Sequence, residues 1–292
     1  MPLEIHSNRA QDIFKHYSKR LADLYSLDEA KAICYIVLEE LAQINRIKLS
    51  VDPDIRLSES EILSVHFAFK ELLLHKPLQY VLGKAWFLDL TFAVKPGVLI
   101  PRPETEELVL WILEDHPNTS NRCGLDIATG SGCIAISLAL KIKGLSMCAT
   151  DISPEALALA QDNNQALGAG VHILQHNILG SEPLTCAKGF DFIVSNPPYV
   201  RELEKTQMKP NVLDYEPHLA LFVPDNDALI FYRHIAKFAR KNLKDKGLLY
   251  LEINEALAIE TQALLSQEGF ESIELRHDVH GKPRMMRAQL AK

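Results

Sequence analysis

None of the five cysteines, Cys34, Cys123, Cys133, Cys148 and Cys186, forms a C-x-x-C pair, and their number is odd. That spacing argues against a disulfide framework or a cysteine zinc site, and no metal is expected. No apolar run approaches the roughly 20 residues of a membrane span, so no membrane partner is expected. The stretch Met1–Ser7 has no basic segment leading into an apolar one, so it does not read as a secretory signal, and a cytoplasmic location is expected. Basic charge is also short: 31 Lys and Arg stand against 38 Asp and Glu, a formal net charge of −7. Nucleic-acid binding draws mainly on a basic surface that neutralises phosphates, so direct binding of DNA or RNA is not expected. Internal repeats and low-complexity segments are absent. The 292 residues, 47% hydrophobic, are enough for two domains of ordinary soluble composition.

Residues 1–75 read as a helical bundle. Asn8 with Gln11, Ser26 with Glu29 and Ser58 with Glu61 have the spacing of capping boxes. Each precedes an apolar face at helical spacing: Ile13, Phe14, Tyr17, Leu21 and Leu24; Ile33, Val37, Leu41 and Ile44; Ile62, Val65, Phe69, Leu72 and Leu73. Three amphipathic helices make a small antiparallel bundle. Residues 76–100 read as a β-hairpin linker, with a strand over Trp86–Val94, a turn at Lys95-Pro96-Gly97 and a return over Val98–Ile100. In Pro101-Arg102-Pro103-Glu104-Thr105-Glu106 the prolines and acids mark a helix start.

From Gly124 to the C-terminus strands alternate with helices, and residues 101–292 form the third division. Repeated βαβ units imply a doubly wound, mostly parallel sheet with ligands at the carboxyl ends of its strands. The closing strands around Gly281-Lys282-Pro283 make the last pairing antiparallel.

Two stretches carry chemistry. In Asp126-Ile127-Ala128-Thr129-Gly130-Ser131-Gly132 a strand runs through a small-residue turn into a helix, where the backbone can approach a ligand closely. Asp151, at the next strand end, can accept from two ribose hydroxyls. Gly130-x-Gly132-x-x-Ala135 also satisfies the dinucleotide fingerprint, so the turn alone leaves a nicotinamide cofactor open. The second stretch is Ser195-Asn196-Pro197-Pro198-Tyr199, after the strand Phe190–Val194. Two prolines fix the backbone, and an amide oxygen, backbone carbonyls and an aromatic face together can grip a flat –NH2 group.

In this order, the two motifs resemble the class I S-adenosylmethionine-dependent methyltransferases that act on planar nitrogens. Pro77–Gly83, Ile100–Glu106, Asp126–Gly132, Tyr215-Glu216-Pro217 with Leu219-Ala220-Leu221, and Phe231-Tyr232-Arg233 narrow the resemblance. They are similar to the peptide-chain release factor N5-glutamine methyltransferases (PrmC/HemK type). The resemblance covers nearly the whole chain. It implies a Rossmann-like, mostly parallel seven-stranded α/β sheet behind a release-factor-docking helical bundle and a hairpin. The implied reaction moves a methyl group from S-adenosyl-L-methionine to the Gln side-chain nitrogen in the Gly-Gly-Gln loop of bacterial-type release factors. Its products are N5-methylglutamine and S-adenosyl-L-homocysteine, and a monomer is expected.

By the same resemblance Ala128, Thr129, Gly130, Ser131, Gly132, Asp151, Asn177, Ile178 and Asn196 hold the donor. Asn196, Pro197, Pro198 and Tyr199 hold the substrate amide, with Asn196, Pro197 and Tyr199 catalytic. Three positions depart from the family pattern. Ala128 replaces a frequent Gly, which a negative φ would tolerate; Asn177 replaces a frequent Asp; and Ile178 replaces an aromatic residue beside the adenine.

Competing readings are an adenine or cytosine amino-methyltransferase acting on DNA or RNA, a non-catalytic donor-binding adaptor, and a nicotinamide oxidoreductase. The acidic balance, the intact Asn-Pro-Pro-Tyr motif and the lack of a recognisable proton relay count against them in turn. Val200–Pro224 reads as a substrate-side lid, with Glu216 and Pro217 near a peptide channel. The set Arg276, His277, His280, Lys282, Arg284 and Arg287 reads as a solvated hairpin, with RNA or an acidic protein as its functional alternative.

Overall fold

The computed structural model describes residues 7–117, 121–182, 184 and 189–291. Met1–His6 and Cys186, which entered the sequence reading, lie outside them. The chain divides into two compact units, Met1–Gly83 with Pro210–Tyr215, and Lys84–Lys209 with Glu216–Lys292. Among the described residues no helix is long and apolar enough to cross a membrane.

The first unit holds α1 (Ala10–Leu21), α2 (Leu27–Ala42), α3 (Arg46–Val51), α4 (Glu59–Leu72) and α5 (Leu78–Leu82). The three helices expected from periodicity are α1, α2 and α4. Their inward stripes meet in one core, where Tyr17 stacks on Phe69 with ring centroids 4.0 Å apart and its hydroxyl lies 2.7 Å from His66 Nδ1. Ser58 and Glu61 form the full capping box, and Ser26 Oγ accepts from Glu29 N at 3.2 Å. Asn8 does not cap α1: Arg9 occupies the N-cap, and Asn8 Oδ1 instead accepts from Arg56 Nη1 at 2.6 Å. The six residues of α3 are too few to show a period, and Asn45 starts the helix by accepting from Lys48 N at 3.0 Å. Within this unit the Tyr215 hydroxyl donates to the Leu74 carbonyl.

The second unit begins with β1 (Lys84–Phe87) and β2 (Leu90–Ala93), followed by α6 (Pro103–Asp115). Next come β3 (Arg122–Ile127), α7 (Cys133–Lys141), β4 (Leu145–Asp151), α8 (Pro154–Leu167), β5 (His172–Gln175) and β6 (Phe190–Ser195). Short pieces follow: β7 (Val200–Arg201), α9 (Pro210–Leu213, grouped with the helical unit), α10 (His218–Leu221) and β8 (Phe222–Val223). The chain closes with α11 (Ile230–Asn242), β9 (Leu243–Glu252), α12 (Ala258–Gln267), β10 (Phe270–His277) and β11 (Pro283–Leu290).

Seven strands form one sheet in the order β10-β11-β9-β6-β3-β4-β5, with β11 antiparallel to both neighbours and the other pairings parallel. Both faces are covered, which explains why the strands read as unbroken apolar runs. Phe192 and Val194 pack towards Leu108, Trp111 and Ile134 on one face, and Ile193 packs towards Ile235 and Leu265 on the other. The strand order reverses between β3 and β6, and a crevice opens there at the carboxyl ends.

The hairpin differs from its sequence reading. It turns at Leu88-Asp89 rather than at Lys95-Pro96-Gly97, pairing Phe87 with Leu90 and Lys84 with Ala93, and Val98–Ile100 forms no strand. Leu88 takes the left-handed turn position at φ +53°, which sequence rules reserve for Gly or Asn. Burial of Phe87 and Phe92 and a 2.8 Å bond from Leu88 N to Glu106 Oε1 hold it there. Asn163 of α8 fastens the far end, accepting from Ala93 N at 2.8 Å and donating to its carbonyl at 3.1 Å. The stretch read as an aperiodic lid contains β7 and β8, which pair in parallel as Val200 with Phe222 and Arg201 with Val223.

At Gly124 on β3 an added Cβ would lie 2.5 Å from both Met147 Sδ and Phe192 Cζ, two buried side chains. Overpacking of this kind costs about 1–3 kcal/mol, only partly offset by the lower entropy of the unfolded chain. Gly124→Ala is expected to lower the unfolding free energy by about 1–2 kcal/mol in urea titration, with the sheet retained by circular dichroism.

Candidate active site

Four parallel strands deliver their carboxyl ends to one cavity. From the sequence-derived set it is lined by Ala128, Thr129, Gly130 and Ser131 after β3, Asp151 at the end of β4, Asn177 and Ile178 after β5, and Asn196 and Pro198 after β6. Gly132, Pro197 and Tyr199 are not among the lining residues.

The glycine turn is held from both sides. Thr129 N donates to the Thr150 carbonyl at 2.9 Å, and Thr129 Oγ1 donates to Asp126 Oδ2 at 2.6 Å. Gly130 N and Ser153 N each donate to a different oxygen of Asp151, both at 2.9 Å. The carboxylate is thus held by the backbone and keeps acceptor capacity for a ligand. Burial is the main cause that raises the Asp151 pKa, against the lowering effect of the Ser153, Gly130 and Ile152 N–H groups. Gly132 is needed twice over: φ is +83°, and a Cβ would lie 2.8 Å from Ile136 Cδ1 and 3.3 Å from Ala160 Cβ, so it supports the turn from beneath. Cys133 opens α7 on the cavity wall, and burial pushes its thiol up to about 12.

One departure from the family pattern resolves differently from expectation. Ala128 has φ +61°, in the left-handed region, so the proviso of a negative φ fails and the methyl group is carried under strain. The Asn177 side-chain oxygen accepts from Leu179 N at 3.0 Å, and Asn177 lines the cavity. Ile178 lines the cavity as an aliphatic wall.

At the second motif Ser195 Oγ donates to the Ile127 carbonyl at 2.7 Å, locking the ends of β6 and β3 together. Asn196 Nδ2 donates to Thr105 Oγ1 at 3.0 Å, and Thr105 Oγ1 donates to Glu252 Oε2 at 2.7 Å. Tyr199 was expected to lay its ring on the substrate. Its hydroxyl instead donates to Glu252 Oε1 at 2.9 Å, and Asn254 Nδ2 donates to the Tyr199 carbonyl at the same distance. Burial raises the pKa of Glu252, and burial together with the Glu252 charge raises that of the Tyr199 phenol.

The segment read as a returning strand and a helix start was given no part in ligand binding, yet Val98–Arg102 and Thr105 all line the cavity. Glu216, 4% exposed, fastens that segment: it accepts from Ile100 N at 3.2 Å and pairs with Arg102. Pro217, Leu219 and Phe231 also reach the cavity. The arginines and the lysine of the last hairpin are occupied locally. Arg276 pairs with Glu114, Arg284 with Asp278 and Glu255, Arg287 with Asp115 and Glu274, and Lys282 with Glu255. Among the described residues no group of three His, Cys, Asp or Glu side chains is placed to hold a metal ion.

A left-handed alanine costs about 1–2 kcal/mol, and glycine gives back roughly 0.4–1 kcal/mol through the freer unfolded chain. Ala128→Gly is therefore expected to stabilise the fold by roughly 0.5–1 kcal/mol, read from the denaturant midpoint. Asp126 is fully buried, and burial raises its pKa from 3.8 to about 7. The folded state thus holds this proton more tightly than the unfolded chain. The resulting stability is fully present below about pH 4 and is lost as the pH rises through about 7. Asp126→Asn is expected to flatten that decline, measured by urea unfolding at pH 5 and pH 8.

Residues 104–213 match the family described as "Methyltransferase small domain", and residues 12–83 match "PrmC N-terminal domain". A release factor glutamine methyltransferase of Flavobacterium psychrophilum is 45% identical over 93% of this chain and 95% of its own. One of Bacteroides thetaiotaomicron is 40% identical over 94% and 98%. Among solved structures, a methyltransferase of Pyrococcus furiosus shares the fold, with a TM-score of 0.52 and 17% identity over 70% of this chain and 91% of that one. The sheet is that of a class I methyltransferase, and the chain belongs to the release factor glutamine methyltransferase family.

Proposed function

We propose that this protein transfers the methyl group of S-adenosyl-L-methionine to the side-chain nitrogen of the Gln in the Gly-Gly-Gln loop of bacterial-type release factors. The products are N5-methylglutamine and S-adenosyl-L-homocysteine. The observation that carries this reading is the orientation of Asn196, whose nitrogen is taken by Thr105, so that its oxygen is left to accept from a planar –NH2 group. The 45% and 40% identical relatives are release factor glutamine methyltransferases, which makes a protein glutamine the substrate rather than a nucleobase. The helical bundle, residues 1–75 by the sequence reading, docks the factor.

The donor suits the residues present. Gly130, at φ +56° with little around a would-be Cβ, brings bare backbone to the cavity. The acceptor capacity of Asp151 matches a pair of ribose hydroxyls, and Ile178 gives an apolar wall for a base. When bound, the donor supplies an electrophilic methyl group on a sulfonium.

The protein's task is positional, because an amide nitrogen is a poor nucleophile whose lone pair is delocalised into its carbonyl. Ionising it would need a stronger base than the cavity holds. Asn196 Oδ1, on the cavity wall, accepts one N–H bond; by the family resemblance the carbonyl of Pro197, whose ring stands off the wall, accepts the other, and the two together turn the lone pair towards the methyl group. Pro198, buried beside them, keeps the corner rigid. Orientation of this kind supplies roughly 7–11 kcal/mol when reacting atoms are held about 3 Å apart. As the nitrogen gains positive charge its N–H groups become better donors, so the same two bonds strengthen in the transition state.

Labelled methyl transfer from S-adenosyl-L-methionine to purified release factor tests the reading, with a loop Gln→Ala factor and bare DNA as controls. Label in DNA but not in the factor would reject it. Asn196→Ala is expected to cut turnover by about 10²–10³-fold, the size of a lost transition-state hydrogen bond. Affinity for S-adenosyl-L-homocysteine, read by calorimetry, is expected to stay within a few-fold of wild type.

A further inference from the structure

We propose that Thr105 is a positioning residue that sets which way round the Asn196 amide stands, and that Glu252 sets Thr105. The inference rests on the glutamine-amide reading above.

The two ends of an asparagine amide are almost the same size, and a half-turn of the side chain exchanges an acceptor for a donor. The reaction tolerates one orientation only. With Nδ2 towards the substrate, N–H would face N–H and the grip on the glutamine amide would be lost. Packing cannot choose between the two ends, so the choice must come from a hydrogen-bond partner.

The proton count along the network supplies it. Against burial, the Thr105 and Tyr199 hydroxyls and the Arg284 charge favour the ionised form of Glu252, which only accepts, and both its oxygens are engaged: Oε2 takes the Thr105 hydroxyl proton at 2.7 Å and Oε1 takes the Tyr199 proton at 2.9 Å. A threonine hydroxyl has one proton, so Thr105 has only lone pairs left to offer. Asn196 can meet it only as a donor, and does so through Nδ2 at 3.0 Å. Thr105 is 2% exposed and Glu252 1% exposed, so water is a poor substitute for either partner. Three elements meet in this chain of bonds: the first turn of α6, the end of β9 and the corner after β6.

The arrangement also gives Tyr199 a task other than contact with substrate. Its proton completes the acceptor role of Glu252, and its carbonyl, held by Asn254 Nδ2, fixes the backbone just past the two prolines. By the same count Glu252→Gln would break the rule. Its –NH2 can donate to Thr105, releasing the threonine proton towards Asn196 Oδ1 and making both orientations available.

The test is steady-state methyl transfer to purified release factor by wild type, Thr105→Val, Thr105→Ser and Glu252→Gln. Urea unfolding and S-adenosyl-L-homocysteine binding confirm that each variant is folded. Thr105→Val keeps the shape of threonine without the acceptor. It is expected to lower kcat at least 10-fold with KM for the factor and donor affinity within about 3-fold. Thr105→Ser restores the acceptor and is expected to recover most of that loss. Glu252→Gln is expected to lower kcat about 10-fold with the same unchanged KM, and it decides the matter if the valine variant does not fold. A valine variant within 2-fold of wild-type kcat, or a serine variant as impaired as valine, would overturn the assignment. So would a Glu252→Gln loss confined to KM. Methylation of the loop Gln→Ala factor by wild type would overturn the substrate reading instead, and the valine-to-serine ratio stays readable in that event.

Discussion

A single buried carboxylate organises the corner after β6. Glu252 sits at the end of β9 with almost no exposure and takes hydroxyl protons from α6 and from the loop after β6. Burying a charge is costly unless its hydrogen bonds are made. The structure meets that cost with two donors that come from distant parts of the chain. Neither Thr105 nor Tyr199 can shift without leaving part of the carboxylate unsatisfied. The rigidity of the corner is therefore a property of the whole strand-end layer and not of the two prolines alone.

The donor side follows a different logic. The contacts proposed for it come from backbone geometry: a turn made of small residues, a carboxylate already engaged by peptide N–H groups, and a wall of aliphatic carbon. Glycine suits position 130 by its φ and position 132 by φ and close approach, while Ala128 takes a left-handed conformation without being glycine. The two sides meet because β3 and β6 are adjacent at the point where the strand order reverses, and Ser195 Oγ on the Ile127 carbonyl holds those strand ends in register.

What was legible in the sequence is what depends on local periodicity or on a short motif. The alternation of apolar strands and amphipathic helices yields the doubly wound sheet. The glycine turn, Asp151 and Asn196 mark the cavity by their own chemistry. What escaped reading depends on partners far along the chain. The turn at Leu88-Asp89 violates turn preferences and is held by Glu106 and by two buried phenylalanines. The direction of the Tyr199 hydroxyl is decided by Glu252, 53 residues further on. Thr105 looks like any first-turn threonine until Asn196 and Glu252 are brought to it, and Asn45 starts a helix too short for its period to register.

One side chain in the cavity wall has a chemical consequence. A methyl sulfonium is an electrophile towards any soft nucleophile within reach, and thiolate sulfur is the most reactive that a protein offers. Cys133 lines the same cavity, but burial pushes its thiol up to about 12, so near neutral pH it stays protonated and unreactive. With the donor placed as proposed, the cavity holds sulfur beside an alkylating agent in its unreactive thiol form. The protection comes from the low dielectric around α7, the same apolar packing that seats the glycine turn.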